Sequence, residues 1–228
     1  KGFDLTGWAN KEFGVPITIE NDAHAALAGE WQFGAGRGVR SCVIMTLGTG
    51  IGTSAVIDGV PLRGQHGQAG NLGGHFTVNA FGRRCVCGNI GCVETEASSW
   101  ILPTVAREHP RFASSRLAQM SEIDYAAVFR LADEGDETAR DLRDRSIRVW
   151  AAAAANMVHA FDPEVVILVG GIMRSAAPIL AQMQAYLDDH AWVGWGKVRV
   201  AKGQLGDSAA LLGLSYLAGR ASASAAGG

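Results

Sequence analysis

Two periodicities of apolar residues divide the chain into predicted elements. Short apolar runs between turn residues predict strands, and longer stretches with one apolar side predict helices. Strands are expected over 15–19, 42–47, 53–57, 60–62, 76–78, 164–169 and 197–201. Helices are expected over 3–14, 23–33, 94–108, 123–133, 137–161, 175–190 and 207–220.

The order of these elements indicates an α/β fold. Asp58-Gly59 is a two-residue hairpin signal near the start of the pattern, and β-α-β units follow. Within the predicted strand 164–169, every residue after Glu164 is apolar, which is typical of a parallel strand buried on both faces. We therefore expect a mixed sheet flanked by helices. The segment 221–228 holds only Ala, Ser and Gly, and it is predicted to be a disordered tail.

The amino-acid composition indicates which kinds of molecule the protein could bind. The 228 residues include 48% hydrophobic residues and carry a net charge of −2. This balance does not indicate binding to nucleic acid or to an anionic membrane. No apolar run reaches the roughly 18 residues of a membrane span. We expect a cytoplasmic protein that binds small molecules.

A cluster of soft ligands stands in the middle of the chain. Cys85, Cys87 and Cys92 fall within eight residues, and His75 stands ten residues before the first of them. Thiolate and imidazole are preferred ligands of Zn²⁺, and four of them fill a tetrahedral shell. We predict a structural zinc site; three reduced thiols beside an uninvolved histidine is the alternative. Such spacing in an unsecreted chain indicates a reducing compartment.

A carboxylate is predicted at the carboxyl end of the first strand. The segment Glu20-Asn21-Asp22 follows the strand 15–19 and precedes a helix. Asp22 could accept a proton from a hydroxyl nucleophile while Asn21 orients it. Asp22 could equally serve only as the cap of the following helix.

Two glycine-rich turns follow buried strands. Leu47-Gly48-Thr49-Gly50-Ile51-Gly52 lets backbone N–H groups approach a phosphate, although such a hairpin is weak evidence alone. Gly170-Gly171 comes after the strand 164–169 and lets a flat ligand lie against the backbone. A tight strand-to-helix turn is the simpler reading of that pair.

Together these segments resemble the ROK family (repressors, open reading frames and sugar kinases). The cysteine cluster is similar to the zinc signature H-x9-C-x-C-G-x-x-G-C-x-E, and Glu20 to Ala25 is similar to E-N-D-A-N-A. The resemblance implies a ribonuclease-H-like sheet of the actin and hexokinase type. It also implies ATP and Mg²⁺ as cofactors beside structural Zn²⁺, and a homo-oligomer, most simply a dimer.

The resemblance also assigns roles. Asp22 becomes the catalytic base and Asn21 a sugar ligand. His75 binds zinc through one nitrogen and a sugar hydroxyl through the other, and Glu94 contacts sugar. Gly48, Thr49 and Gly50 are expected to bind phosphates, and Gly170 and Gly171 to contact adenosine.

The chain departs from the family pattern in two places. The family segment G-E-x-G-H is replaced by Gly70-Asn71-Leu72-Gly73-Gly74-His75, so Asn71 or Leu72 stands in place of the sugar-binding acid. We take Asn71 as the sugar ligand. The first phosphate-loop motif, D-x-G-G-T, does not occur in this sequence. Residues 1–24 are therefore expected to end an N-terminal lobe, and 25–220 to form the C-terminal kinase domain with a zinc knuckle at 75–94.

These features predict an ATP-dependent kinase that phosphorylates a hexose or amino sugar, at O6. Two alternatives remain: a non-catalytic sugar-sensing domain of a ROK-type repressor, and an inactive kinase fragment. Retention of Asp22 and of the Gly48–Gly52 turn favours the kinase.

Overall fold

A five-stranded mixed sheet forms the centre of the molecule. The computed structural model describes residues 2–15, 17–194 and 196–226. The spatial strand order is β3-β2-β1-β4-β5, with β1 antiparallel to β2 and parallel to β4, which is parallel to β5. The strands are β1 Cys42–Leu47, β2 Ile51–Ile57, β3 Val60–Pro61, β4 Val165–Val169 and β5 Arg199–Lys202. The predicted α/β class and mixed sheet are confirmed.

Eight α-helices surround the sheet in the described part of the chain. They are α1 Leu5–Phe13, α2 Asp22–Phe33, α3 Val93–Ala97, α4 Leu102–Arg107, α5 Tyr125–Asp133, α6 Glu137–Phe161, α7 Ala176–His190 and α8 Ala209–Ala226. The bounds predicted for the long helix α6 are confirmed. Among the described residues, no helix combines the length and apolar character that a membrane crossing needs.

Both faces of the sheet are buried, which explains the unbroken apolar strands. Alternate side chains of a strand point to opposite faces. Val43, Met45 and Leu47 of β1 join the large core under α5, α6 and α7. Cys42 and Ile44 join a smaller core that includes Leu27 of α2. The helices α2 and α8 pack against each other on that second side.

Two predicted elements are corrected by tertiary contacts. No strand occurs over residues 17–19, because no neighbouring strand pairs with this segment among the described residues; Pro16 lies outside them. The single helix predicted over 94–108 is divided into α3 and α4. In the gap, the N–H groups of Ser99 and Trp100 donate to the carbonyls of Gly48 and Thr49, at 3.0 and 3.3 Å. The backbone there bonds to the β1–β2 turn instead of continuing a helix.

Smaller differences concern ends of elements. The segment 76–78 forms no strand, only an isolated bridge between Thr77 and Cys92. The helix predicted over 123–133 begins at Tyr125 with Asp124 as its cap, whose side chain accepts from the Ala127 N–H at 2.7 Å. Helix α8 continues to Ala226, whereas the sequence predicted a disordered tail from Ala221. Gly227 and Gly228 lie outside the described residues.

Candidate functional site

Three parallel strands direct their carboxyl ends to one edge of the sheet. The strands β1, β4 and β5 end at Leu47, Val169 and Lys202. Ligands of open α/β sheets bind outside this edge. The first turn of α2 also lies here, because its Ala23 packs near Gly52 of β2. The edge therefore gathers the two glycine turns and Asp22.

A cavity of about 420 Å³ opens at this edge. Asp22 lines it together with Gly170 and Gly171, so the predicted base and the predicted adenosine contact share one space. The other walls come from α2, the ends of β1 and β4, the turn after β4, the segment that joins β5 to α8, and the start of α8. They are Ala23, Ala26, Thr46, Leu168, Val169, Met173, Arg174, Lys202, Gly203, Gly206, Asp207, Ala209 and Ala210.

Asn21, rather than Asp22, caps helix α2. Its Oδ1 accepts from the N–H groups of Ala23 and His24 at 2.9 and 3.3 Å, which satisfies two donors at the helix start. Asp22 is the first helical residue and is exposed to the cavity. Among the described residues nothing accepts from the amide nitrogen of Asn21, so its two hydrogens can be donated to a hydroxyl group. The simple capping role left open for Asp22 is thus mainly filled by its neighbour.

A second cavity, of about 360 Å³, adjoins the first. It is lined by Gly48 and Thr49 from the β1–β2 turn, and it shares Gly171 and Arg174 with the first cavity. The Gly48 N–H donates to the Gly50 carbonyl at 3.2 Å and is not free for a ligand. Within the described chain, the N–H groups of Thr49 and Gly50 have no acceptor. These two donors can face a phosphate at the sheet edge.

Gly170 lets the two turns approach each other closely. Its φ of +101° lies in a region that L side chains rarely adopt. A Cβ at this position would lie 2.3 Å from the Leu47 carbonyl oxygen at the end of β1. Only glycine permits this contact between the end of β4 and the end of β1.

Of the residues predicted to contact sugar, Glu94 bonds to Ile51, the first residue of β2. Glu94 of α3 accepts from the Ile51 N–H through Oε2 at 3.1 Å. On the carbonyl side, a Cβ at Gly74 would lie 2.0 Å from the Ile51 oxygen. His75 is the next residue after Gly74, so its backbone begins beside the same strand end.

The structure places Asn71 and Leu72 differently. The Leu72 side chain is exposed. Asn71 has a buried Oδ1 that accepts no hydrogen bond among the described residues. Thr53 of β2 holds this 3₁₀ turn: its hydroxyl donates to the Gly70 carbonyl and accepts from the Gly73 N–H at 2.8 Å. A buried, unpaired carbonyl oxygen is costly, so the Asn71 amide has a hydrogen-bonding capacity that is not used within the described chain.

Four potential metal ligands converge after the 3₁₀ turn. Ligand atoms of His75, Cys85, Cys87 and Cys92 all lie within 4.8 Å of one another. The His75 Nδ1 is 3.6 Å from the Cys85 Sγ, and the Cys87 Sγ is 3.7 Å from the Cys92 Sγ. A tetrahedral zinc centre with ordinary bond lengths requires edges of about 3.6 Å for N···S and about 3.8 Å for S···S. The residues present therefore fit a four-coordinate metal ion with no open position.

The electrostatics of the cluster also favour a cation. Burial, followed by hydrogen bonds that the Cys92 thiol donates to Cys85 and Cys87, raises the pKa of Cys92 to about 12. The N–H of Asn89 lowers the pKa of Cys87 on the exposed side. A bound divalent ion holds such thiols as thiolates, so metal binding would release protons.

Sequence reasoning missed three charged residues of the first cavity. Arg174, Lys202 and Asp207 all line it. Lys202 directly follows the predicted strand 197–201 and ends the observed β5, so its position after a strand was a usable signal. Arg174 lies in the 3₁₀ turn Gly171–Ser175, where no local pattern marks it. Neither cation forms an ion pair within the described chain.

The family model for the ROK family matches residues 1–221. This chain belongs to the ROK family. The ROK protein is 35% identical to the glucokinase of Thermotoga maritima over 219 residues, which cover 93% of this chain and 69% of the relative. It is 27% identical to the xylose repressor of Bacillus subtilis, covering 95% of this chain and 54% of the repressor.

Solved structures support the same membership. The ROK hexokinase from Thermus thermophilus superposes with a TM-score of 0.80 at 34% identity, covering 96% of this chain and 71% of the hexokinase. A ROK glucokinase from Streptomyces griseus, solved with glucose and AMPPNP, gives a TM-score of 0.78 at 30% identity. The match covers 93% of this chain and 71% of that kinase. The ROK protein thus has the mixed α/β fold of sugar kinases in this family.

Proposed function

We propose that this ROK protein is an ATP-dependent sugar kinase that phosphorylates O6 of a hexose or amino sugar. The observation that carries the proposal is the shared cavity: Asp22 opens into the same space as Gly170 and Gly171. A proton acceptor for a sugar hydroxyl and a flat backbone surface for adenosine are both needed for phosphoryl transfer. The kinase names of the related proteins support the same activity.

In the proposed mechanism, Asp22 takes the proton from the sugar hydroxyl as its oxygen attacks the γ-phosphoryl group. The Asn21 amide hydrogens orient the same sugar, because its Oδ1 is already bonded within the helix cap. Positioning and charge stabilisation supply most of the catalysis in phosphoryl transfer. ATP supplies the phosphoryl group, and its Mg²⁺ neutralises charge on the phosphates.

The donor side uses the turns that follow β1 and β4. The Thr49 and Gly50 N–H groups would hold the phosphates, while Gly170 and Gly171 would support adenosine. Arg174 is well placed between them, since it lines both cavities.

On the sugar side, Asn71, His75 and Glu94 would bind hydroxyl groups. The His75 Nδ1 faces Cys85, which leaves Nε2 for a sugar. We assign structural Zn²⁺ to His75, Cys85, Cys87 and Cys92. The metal would orient the His75 ring toward the cleft and fold the segment that ends in α3.

The first test is an ATP-coupled phosphorylation assay of this chain against a panel of hexoses and amino sugars. Turnover that depends on Asp22 supports the kinase. Sugar binding by calorimetry without turnover or nucleotide binding would instead favour a sugar-sensing repressor domain. That second function has one specific observation in its favour, the likeness to a xylose repressor over 95% of this chain.

A further inference from the structure

One buried carboxylate lies outside all the residues given a role above. Glu30, in the last turns of α2, has none of its surface exposed to solvent. Burying an ionisable carboxyl group is costly unless its oxygens are fully hydrogen-bonded. Glu30 forms no ion pair with Lys or Arg in the described part of the chain, so backbone groups must satisfy it.

Three backbone N–H groups do so. Glu30 Oε2 accepts from Ala35 and Gln204 at 2.9 and 3.0 Å, and Oε1 accepts from Leu205 at 2.9 Å. Ala35 belongs to the turn that follows α2, while Gln204 and Leu205 lie between β5 and α8. A single side chain thus joins the end of one helix to a distant loop.

That loop is a wall of the cavity that contains Asp22. Gly203 and Gly206, on either side of the two bonded residues, both line it. The loop packs closely on Glu30, since a Cβ at Gly203 would lie 2.7 Å from Oε1. Any shift of the carboxylate would therefore move the wall.

We propose that Glu30 is a positioning residue that holds the 203–206 loop in the shape that receives the nucleotide. The inference rests on the proposed kinase function. Glu30 would affect nucleotide binding through the loop, without touching the nucleotide itself. Asp22 and Glu30 stand eight residues apart on α2, about 12 Å along a rigid helix. One helix then sets the distance between the base and the nucleotide wall.

Glu30→Gln separates this role from general packing, because the two side chains have nearly the same shape. Gln has one acceptor oxygen and one NH₂ group. Whichever way the amide turns, the NH₂ faces at least one backbone N–H that has lost its acceptor. If the NH₂ replaces Oε1, that donor is the Leu205 N–H; if it replaces Oε2, both Ala35 and Gln204 lose their acceptor.

The test compares Glu30→Gln with the wild-type chain by calorimetric titration of AMP-PNP and of the sugar. We expect nucleotide affinity to fall about tenfold or more, and sugar affinity to stay within about twofold. Glu164→Gln is the matched control: Glu164 also accepts two backbone N–H bonds, from Arg40 and Ser41, but it precedes β4 at the opposite edge of the sheet. It should change neither affinity.

A second variant displaces the Glu30 carboxylate while leaving residue 30 and the residues that line the cavity unchanged. In Gly34→Ala, the new Cβ would lie 2.1 Å from the Glu30 Oε2. We expect the same selective loss of nucleotide affinity as for Glu30→Gln. Nucleotide affinity within twofold of wild type in both variants, or an equal loss of sugar affinity, would overturn the proposal.

Amide hydrogen exchange provides a readout that needs no ligand. Either the amide of Leu205 or those of both Ala35 and Gln204 should exchange faster in Glu30→Gln, depending on how the new amide turns, while those of β1 remain protected. A wild-type chain that binds no nucleotide would contradict the kinase function, and unchanged exchange at these three amides would separately contradict the role of Glu30.

Discussion

At the scale of single residues, the orientation of Asp22 toward the cavity depends on Asn21, which caps helix α2. Asn21 satisfies the first N–H groups of α2, so the Asp22 carboxylate faces the cavity as the first helical residue. It does accept the Ala23 N–H at 2.8 Å through Oδ1, which leaves Oδ2 without a partner among the described residues. An exposed oxygen at a helix start is suited to receive a proton from a ligand.

Asp22→Asn should reduce phosphoryl transfer by about 10² to 10⁴-fold, the usual contribution of a general base. Sugar affinity should change little, because an amide still accepts a hydrogen bond. Steady-state kinetics and calorimetry together check both statements. Asp58→Asn, in the β2–β3 hairpin turn away from the cavity, is the control, and wild-type turnover in Asp22→Asn would exclude Asp22 as the base.

Gly170 is the residue whose backbone geometry most strongly requires glycine. Gly170→Ala combines a positive φ with a Cβ placed 2.3 Å from the Leu47 carbonyl oxygen. Such backbone strain costs about 1–3 kcal/mol before the steric clash is counted. We expect a clear fall in melting temperature. Gly171→Ala serves as the matched control, since a Cβ there meets nothing within 4 Å; equal melting of the two variants would be the contrary result.

At the scale of elements, the segment from His75 to Glu94 connects the metal cluster to the residues proposed to bind sugar. Glu96 of α3 reinforces it: this buried carboxylate accepts from the Arg83 N–H at 3.1 Å and pairs with Arg145 of α6. The short helix α3 therefore joins the cysteines to the long helix through Glu96 and to the β1–β2 turn through Glu94.

Cys87→Ser should remove most of the bound metal and lower the melting temperature, because metal-binding energy is in part folding energy. Cys87 is exposed, so the substitution removes little packing. Elemental analysis and thermal melting provide the measurement. Cys42→Ser, outside the cluster, should keep its metal; an unchanged metal content in Cys87→Ser would remove the proposed zinc site.

The 3₁₀ turn that carries Asn71 depends on one hydroxyl of β2. Thr53→Val keeps the shape but loses the bonds to Gly70 and Gly73, worth about 1 kcal/mol each. We expect KM for the sugar to rise by up to about 30-fold with less effect on KM for ATP. Thr53→Ser retains the hydroxyl and should restore sugar binding. An equal rise in both KM values would show a general loss of structure instead.

At the scale of the whole molecule, stability depends on pH through a carboxylate of the helical layer, Asp136. Burial by itself would raise the pKa of the Asp136 carboxyl. Hydrogen bonds from the Ala139 and Arg116 N–H groups and from Ser115 outweigh it, so the pKa is lowered from 3.8. Asp136 caps the long helix α6. Its contribution to stability is present above the unfolded pKa and is lost as pH falls through the lower folded pKa.

Asp136→Asn retains an N-cap of similar shape without the titrating group. The difference in unfolding free energy between wild type and variant should be largest near neutral pH and should shrink as pH falls below about 4. Denaturant unfolding at a series of pH values measures it. A difference that stays constant over the whole series would mean that the Asp136 charge does not contribute.

The assembly predicted from the family resemblance, a homodimer, belongs to the same scale and stays a prediction, as does the absence of nucleic-acid binding. Light scattering after gel filtration measures the first. An electrophoretic mobility assay with duplex DNA measures the second, and it also bears on the repressor alternative.

The elements that the sequence alone determined are those with strong local signals. Helix α6 has continuous periodicity and an Asp136 cap, and its bounds are as predicted. The buried strand β4 is an apolar run, and the ligands of the metal cluster lie close together along the chain. Local pattern is sufficient in such cases because nearby residues carry most of the interactions.

Tertiary structure decided the features that depend on distant partners. The helix predicted over 94–108 breaks because Ser99 and Trp100 bond to the β1–β2 turn. The burial of the Asn71 Oδ1 and the exposure of the Leu72 side chain depend on how the 3₁₀ turn packs, and the hydrogen bonds of Glu30 come partly from N–H groups 174 and 175 residues away. The sequence lists donors and acceptors, but only the fold brings them within hydrogen-bonding distance, and burial then makes each unpaired group costly.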